Sequence, residues 1–194
     1  MARKIVVQMS VTVDGYHEGP NRDISWHRVD EEFNRYAIGT LRSADTILFG
    51  RVTYELFRDY WPAALTDPKT SPRDLEIARL LDEMEKVVYS RTLKDPGWRR
   101  ARVVREVIKG DIEALKAKPG GDMHVGGATL ARRLMELGLI DEWRLIVSPL
   151  VLGAGSPLFP PGVPRTPLQL LDCQRHASGN VILTYRPQAA GDDA

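Results

Sequence analysis

The sequence predicts an α/β domain whose largely parallel sheet carries an antiparallel edge. Three observations predict it. Strand-like and helix-like segments alternate through the first two thirds of the chain. The last third reads as strands alone. Twice, at Phe49-Gly50-Arg51 and at Val125-Gly126-Gly127-Ala128, an apolar strand hands glycine to the start of a helix.

The elements follow in order. Residues 4–13 alternate, with Ile5, Val7, Met9, Val11 and Val13 on one side, which marks a strand that ends at the Asp14-Gly15 turn. The polar stretch from Tyr16 to Ser25 is long enough to form a flap over a site. Asp30 is placed to cap a helix whose apolar face is Val29, Phe33, Tyr36, Ala37 and Leu41. Thr46 to Phe49 is a second strand, closed by Gly50-Arg51-Val52-Thr53 opening a short helix. Residues 61–72, with Pro62, Pro68 and Pro72, read as a surface loop, and Pro72 suits the first turn of a helix reaching about Glu85.

Lys86 to Ser90 forms a third strand, and Arg102 to Val104 a short fourth one after the Asp95-Pro96-Gly97 turn. A polar helix from Gly110 to Lys118 stops at Pro119-Gly120-Gly121. Met123 to Val125 ends in the Gly126-Gly127 turn, and Ala128 to Leu137 is an amphipathic helix with Leu130, Leu134 and Leu137 at i, i+4 and i+7 and Gly138 as its stop. Trp143, Leu145 and Val147 then alternate, Pro149 to Pro164 is a Gly/Pro-rich loop, and strands around Leu168–Arg175 and Val181–Arg186 close the fold. One domain over residues 1–187 with a frayed tail from Gln188 to Ala194 is expected.

Composition narrows the function. With 194 residues, 43% apolar and 27% charged, the chain can bury a real core. A net charge of +1 with scattered basic residues gives no footprint for nucleic acid or an anionic membrane. No apolar run is long enough to span a bilayer, and the N-terminus has no signal-peptide apolar region. Cys173 is the single cysteine, so an internal disulfide framework is excluded and a reducing, cytoplasmic setting is favoured. His17, His27, His124 and His176 are too scattered to make a metal site, and the absence of a Gly-x-Ser-x-Gly elbow removes support for nucleophilic catalysis.

Related features recur at three strand ends: Gly50, Arg51 and Thr53; Ser90, Arg91 and Thr92; Gly126, Gly127, Ala128 and Thr129. In open α/β sheets ligands bind beyond the carboxyl ends of strands. Two helix N-termini, two arginines and several hydroxyls there suit a ligand with separate phosphates, such as a phosphorylated dinucleotide. Each piece also reads as an ordinary turn or a surface ion-pair partner. The spacing is not the Gly-x-Gly-x-x-Gly of a dinucleotide fingerprint.

Val11-Thr-Val-Asp-Gly-Tyr16, Phe49-Gly-Arg-Val-Thr-Tyr-Glu55, Val88-Tyr-Ser-Arg-Thr92, Val125-Gly-Gly-Ala128 and Ser148-Pro-Leu-Val-Leu-Gly153 occur in an order that resembles the dihydrofolate reductase-like superfamily. Within it, the chain is most similar to the branch holding the reductase domain of bifunctional riboflavin-biosynthesis deaminase-reductases and its stand-alone relatives. The resemblance runs from about residue 3 to residue 186. It implies a three-layer α/β/α fold with a mixed, mostly parallel sheet of about eight strands, an NADPH site and a homodimer. It also implies that Arg51 and Thr53 hold cofactor phosphates, that Ser90 and Arg91 lie near the 2′-phosphate, and that Gly126 to Thr129 receive the pyrophosphate.

Two departures qualify the resemblance. No zinc deaminase signature precedes or follows the domain. Folate reductases carry an acid in the helix after the flap, where this chain has Asp30, Glu31 and Glu32; such a triplet also complements a helix dipole. Asp14, at the end of the first strand, is the other candidate acid. The reading is an NADPH-dependent reductase of a small heterocyclic or sugar-like C=N or C=O substrate, with a non-catalytic nucleotide-binding module as the alternative.

Overall fold

The computed structural model describes residues 3–188. Eight strands form one sheet in the order β5-β4-β3-β6-β1-β7-β10-β9. Its parallel part comprises β5 (Ala101–Val104), β4 (Glu85–Tyr89), β3 (Ala44–Gly50), β6 (Asp122–Gly126), β1 (Ile5–Thr12) and β7 (Glu142–Ser148). The edge made by β10 (Val181–Pro187) and β9 (Leu168–Arg175) is antiparallel. The expected fold class is therefore the observed one.

Helices cover both faces of the parallel part, as an all-parallel array requires. On one face, α4 (Lys109–Lys116) and α5 (Ala128–Glu136) bury Ile112, Leu115, Leu130 and Leu134 against Ile5, Val7, Met123 and Val125. On the other, α1 (Glu31–Arg42), α2 (Arg51–Ala64) and α3 (Pro72–Glu83) pack Leu41, Phe57, Ile77 and Leu81 around Ile47, Phe49 and Val88. Gly138, at φ +66°, ends α5 as expected, its N–H donating to Met135 O while the Leu139 N–H donates to Leu134 O.

Four local expectations are corrected. The second helix is not short: α2 continues through Pro62 to Ala64, because Phe57 and Trp61, one turn apart, both pack on the apolar cluster and hold the last turn in place. Val13 lies beyond the end of β1 and is 62% exposed rather than buried. The flap contains β2 (Tyr16–Glu18), which pairs with β8 (Ser156–Pro157) in the Gly/Pro-rich loop. α1 buries Asn34 and Thr40 deeper than its apolar face, a sign that the sheet beneath it is polar. Of the expected tail, Gln188 donates its N–H to Pro167 O, and residues 189–194 lie outside the described residues. Among the described residues no helix is long and apolar enough to cross a membrane.

Candidate functional site

A cleft of about 460 Å³ lies beyond the carboxyl ends of β3 and β6, which run side by side with Phe49 opposite Gly126. Each strand turns directly into a helix, α2 after Gly50 and α5 after Gly127. Neither glycine supplies a side-chain acceptor, so the first N–H groups of both helices have no cap. The contrast with α1 and α3 is direct, for Asp30 accepts from the Phe33 N–H at 2.8 Å and Ser71 from the Asp74 N–H at 3.1 Å.

Glycine serves different ends at the three positions. Gly127 sits at φ +112°, and a Cβ there would come within 2.8 Å of Thr53 Oγ1 and 3.9 Å of Gly50 N. The two helix starts therefore converge. At Gly126 a Cβ would strike the Phe49 ring at 2.5 Å, so this glycine is needed for packing beneath the cleft. At Gly50 nothing lies closer than 3.8 Å, which leaves free space above the N-terminus of α2.

Of the residues expected at the site, Gly50, Arg51, Thr53, Gly127, Ala128 and Thr129 line this cleft together. Ser90, Arg91, Thr92 and Gly126 do not. The Ser90 hydroxyl accepts the N–H groups of Thr92 (3.2 Å) and Leu93 (2.9 Å) and is 8% exposed, so it closes a turn instead of facing a ligand. Tyr89, one residue earlier, lines the cleft in its place. His17, Glu18 and Arg22 come from the flap, whose role as a cover was legible although its individual residues were not. Arg133 was missed; its signal was its i+4 spacing from Thr129 on one face of α5.

The rim is cationic. Arg22, Arg51 and Arg133 line it with one carboxylate, Glu18, and Glu18 accepts from Ser156 Oγ at 2.9 Å. Arg51 pairs with Glu55 at 2.7 Å one turn along α2, and Arg133 with Glu136 at 2.9 Å. Both pairs are half-exposed, so either arginine can trade its carboxylate for an incoming anion at little cost. Burial holds the His17 imidazole below its ordinary pKa, against the pull of Glu18, which favours the neutral ring beside the rim.

Neither candidate acid lines the cleft. Asp14 does not line the cleft: its carboxylate accepts the Thr12 hydroxyl at 2.6 Å, the Gly153 N–H at 2.8 Å and the Leu152 N–H at 3.1 Å. The Thr12 hydroxyl first, then these backbone donors, hold its pKa down to about 2, so it remains an anion and clamps the Gly/Pro-rich loop to the end of β1. Asp30 is the α1 cap; the Phe33 N–H, then the Ser178 hydroxyl, lower its pKa in the same manner. A carboxylate fixed in its ionised form by hydrogen bonds is a poor proton donor at neutral pH.

This sequence matches the family model of the RibD C-terminal domain over residues 3–182. The chain belongs to that family. It is 34% identical over 184 residues to YyaP of Bacillus subtilis (strain 168), covering 94% of both chains. It is 26% identical over 174 residues to YwjB of the same organism, covering 88% of this chain and 90% of YwjB. Among solved structures, a Shewanella sp. PV-4 protein ascribed to riboflavin biosynthesis superposes with a TM-score of 0.70 at 19% identity, over 97% of this chain and 100% of that one. The Thermotoga maritima diaminohydroxyphosphoribosylaminopyrimidine deaminase/5-amino-6-(5-phosphoribosylamino)uracil reductase superposes with a TM-score of 0.66 at 12% identity, over 96% of this chain and 57% of that one. At such identities the structural likeness shows the RibD-like fold alone.

Proposed function

We propose that this RibD-type domain, spanning residues 1–187, is an NADPH-dependent reductase of a small heterocyclic or sugar-like C=N or C=O substrate. One observation carries the reading: two uncapped helix N-termini, at Gly50 and Gly127, open side by side into a cleft rimmed by three arginines. The residues fit a dinucleotide with phosphates, because Gly50 leaves room for close approach and Gly127 closes the floor. NADPH held there by the first turns of α2 and α5 would supply hydride-transfer chemistry toward an electrophilic carbon.

The chain's own part is placement. Thr53 and Thr129 offer hydroxyls, the first turns of α2 and α5 offer N–H donors, and Arg51 and Arg133 offset phosphate charge. Arg91, on the turn after β4 and outside the cleft's lining, is kept in the reading as a partner for the 2′-phosphate. The family's fold and the name of the T. maritima relative support a reductase over the alternative of a binding module. The test is a titration with NADPH and NADH followed by nicotinamide fluorescence. Preference for NADPH, weakened by Arg51→Ala and by Arg91→Ala, is expected; equal and unchanged affinities would remove the assignment.

The single cysteine accords with a cytoplasmic setting. A homodimer is part of the same reading, supported by the exposed edge strand β9 with Leu170 and Leu171 about half exposed. Sedimentation as a monomer at micromolar concentration would eliminate it.

A further inference from the structure

Two adjacent residues of the flap, Asn21 and Arg22, hold left-handed backbone, at φ +57° and +62°. Asparagine enters that region readily, whereas an arginine there bears the crowding of its β-carbon against the following carbonyl oxygen. A turn by itself asks for glycine or asparagine at such a position. Arginine is the costlier residue, and it lines the cationic cleft beside His17 and Glu18.

The conformation is held from several sides. The Gly19 N–H donates to Asp23 O at 2.8 Å and the Asp23 N–H to Pro20 O at 3.2 Å, which closes the loop around Arg22. The Asp23 carboxylate takes the Ser25 N–H at 2.9 Å, and the Trp26 indole donates to Asp23 O at 3.2 Å. At the base of the flap β2 pairs with β8, and a Cβ added at Gly155 would collide with Glu18 O. Arg22 is therefore presented by a braced segment.

Its charge is also uncommitted. Arg51 pairs with Glu55 and Arg133 with Glu136, each on its own helix, whereas Arg22 has no ion pair among the described residues. Glu18, the one carboxylate among the described lining residues, is engaged by Ser156 Oγ. Asp23, next in the chain, spends its carboxylate on the Ser25 N–H. A guanidinium with no carboxylate to leave, on a backbone already fixed, favours a pair of phosphate oxygens.

We propose that Arg22 is a phosphate-binding residue, taking oxygens of the same nucleotide phosphates that the starts of α2 and α5 hold. The flap then serves the charged part of the site as well as covering it. The proposal rests on the cofactor reading above for the identity of the nucleotide, but not for the phosphate.

The test is isothermal titration of the full chain with NADPH and, separately, with inorganic pyrophosphate, at low and at high salt. Arg22→Asn removes the charge and keeps a residue that accepts left-handed backbone. It should weaken both ligands about tenfold at low salt, the loss typical of a hydrogen bond to a charged group, and by less at high salt. Arg22→Lys should recover part of that loss, because a point charge remains. Without ligand, Arg22→Asn should melt no lower than the unmutated chain, which separates lost binding from lost structure. Should Arg22→Asn fail to fold, Arg22→Gly carries the same test. Unchanged affinity for both ligands in a folded variant, or Arg22→Lys binding no better than Arg22→Asn, would overturn the proposal. Pyrophosphate binding that depends on Arg22, in a chain that does not bind NADPH, would leave Arg22 standing and sink the cofactor assignment alone. Binding of neither ligand by the unmutated chain would sink both.

Discussion

The cleft beyond the carboxyl ends of β3 and β6 and a cavity of about 310 Å³ under α1, α2 and α3 present opposite kinds of surface. At the first, Gly50 and Gly127 leave helix N–H groups bare and arginines stand at the rim. At the second, α1 and α3 complete their own caps, through Asp30 and Ser71, and the open hydrogen-bonding capacity belongs to Gln8 Oε1 and His124 Nε2 among the lining residues. Backbone donors near positive charge favour an anion whatever its outline. Neutral groups in an apolar box discriminate by the pattern of donors and acceptors, because an unmatched polar atom there stays unpaired.

The largest expected effect lies on the neutral side. The folded-state pKa of His124 is about 4, below its ordinary 6.5. Between those values the unfolded chain binds a proton that the folded chain refuses, so stability falls as pH drops through this window and the contribution is constant below it. A shift of that size corresponds to about 3 kcal/mol. His124→Phe should remove this part of the acid limb in denaturant melts between pH 7 and 4, and an unaltered limb would show that the imidazole is already charged.

Next is Gly127→Ala. At φ +112°, with Thr53 Oγ1 in the way, a side chain is strained by about 1–2 kcal/mol and displaces the α5 start. NADPH affinity should fall about thirtyfold, equivalent to about 2 kcal/mol, and an unchanged affinity would remove the α5 start from the cofactor site.

Arg51→Ala should weaken NADPH about tenfold at low salt and less at high salt, since the guanidinium is half-exposed and screened. A salt-independent loss would point to packing rather than charge. Smallest is Ser71→Ala, which should lower stability by about 1 kcal/mol through the α3 cap and leave NADPH affinity unaffected. Calorimetric melts with and without NADPH read both halves of that statement.

The sheet was legible because its signals are local. Ile5 to Val11 and Thr46 to Phe49 alternate or run apolar, and the glycines after β3 and β6 announce a strand-to-helix switch. The cleft was half legible for the same reason: Gly50, Arg51, Thr53 and Gly127 to Thr129 are contiguous with those signals. Ser90 misled because a hydroxyl at a strand end looks alike whether it meets a ligand or the N–H groups of Thr92 and Leu93. Asp14 misled because its partners, Leu152 and Gly153, lie far along the chain. The second cavity left no trace in the sequence, since Gln8, His124 and Phe57 meet only when three helices close over the sheet.

The Asp14 clamp has a mechanical consequence. Its carboxylate grips Leu152 and Gly153, and three residues further on Ser156 and Pro157 are laced to β2. A segment whose composition suggests slack is thus riveted at two points to the continuation of β1, and β1 lies between β6 and β7 inside the sheet. A tensile load applied to the loop would pass into the middle of the sheet rather than stretch a tether. A protease should find this Gly/Pro-rich stretch a poor substrate, and Asp14→Ala should turn it into the first place the chain is cut.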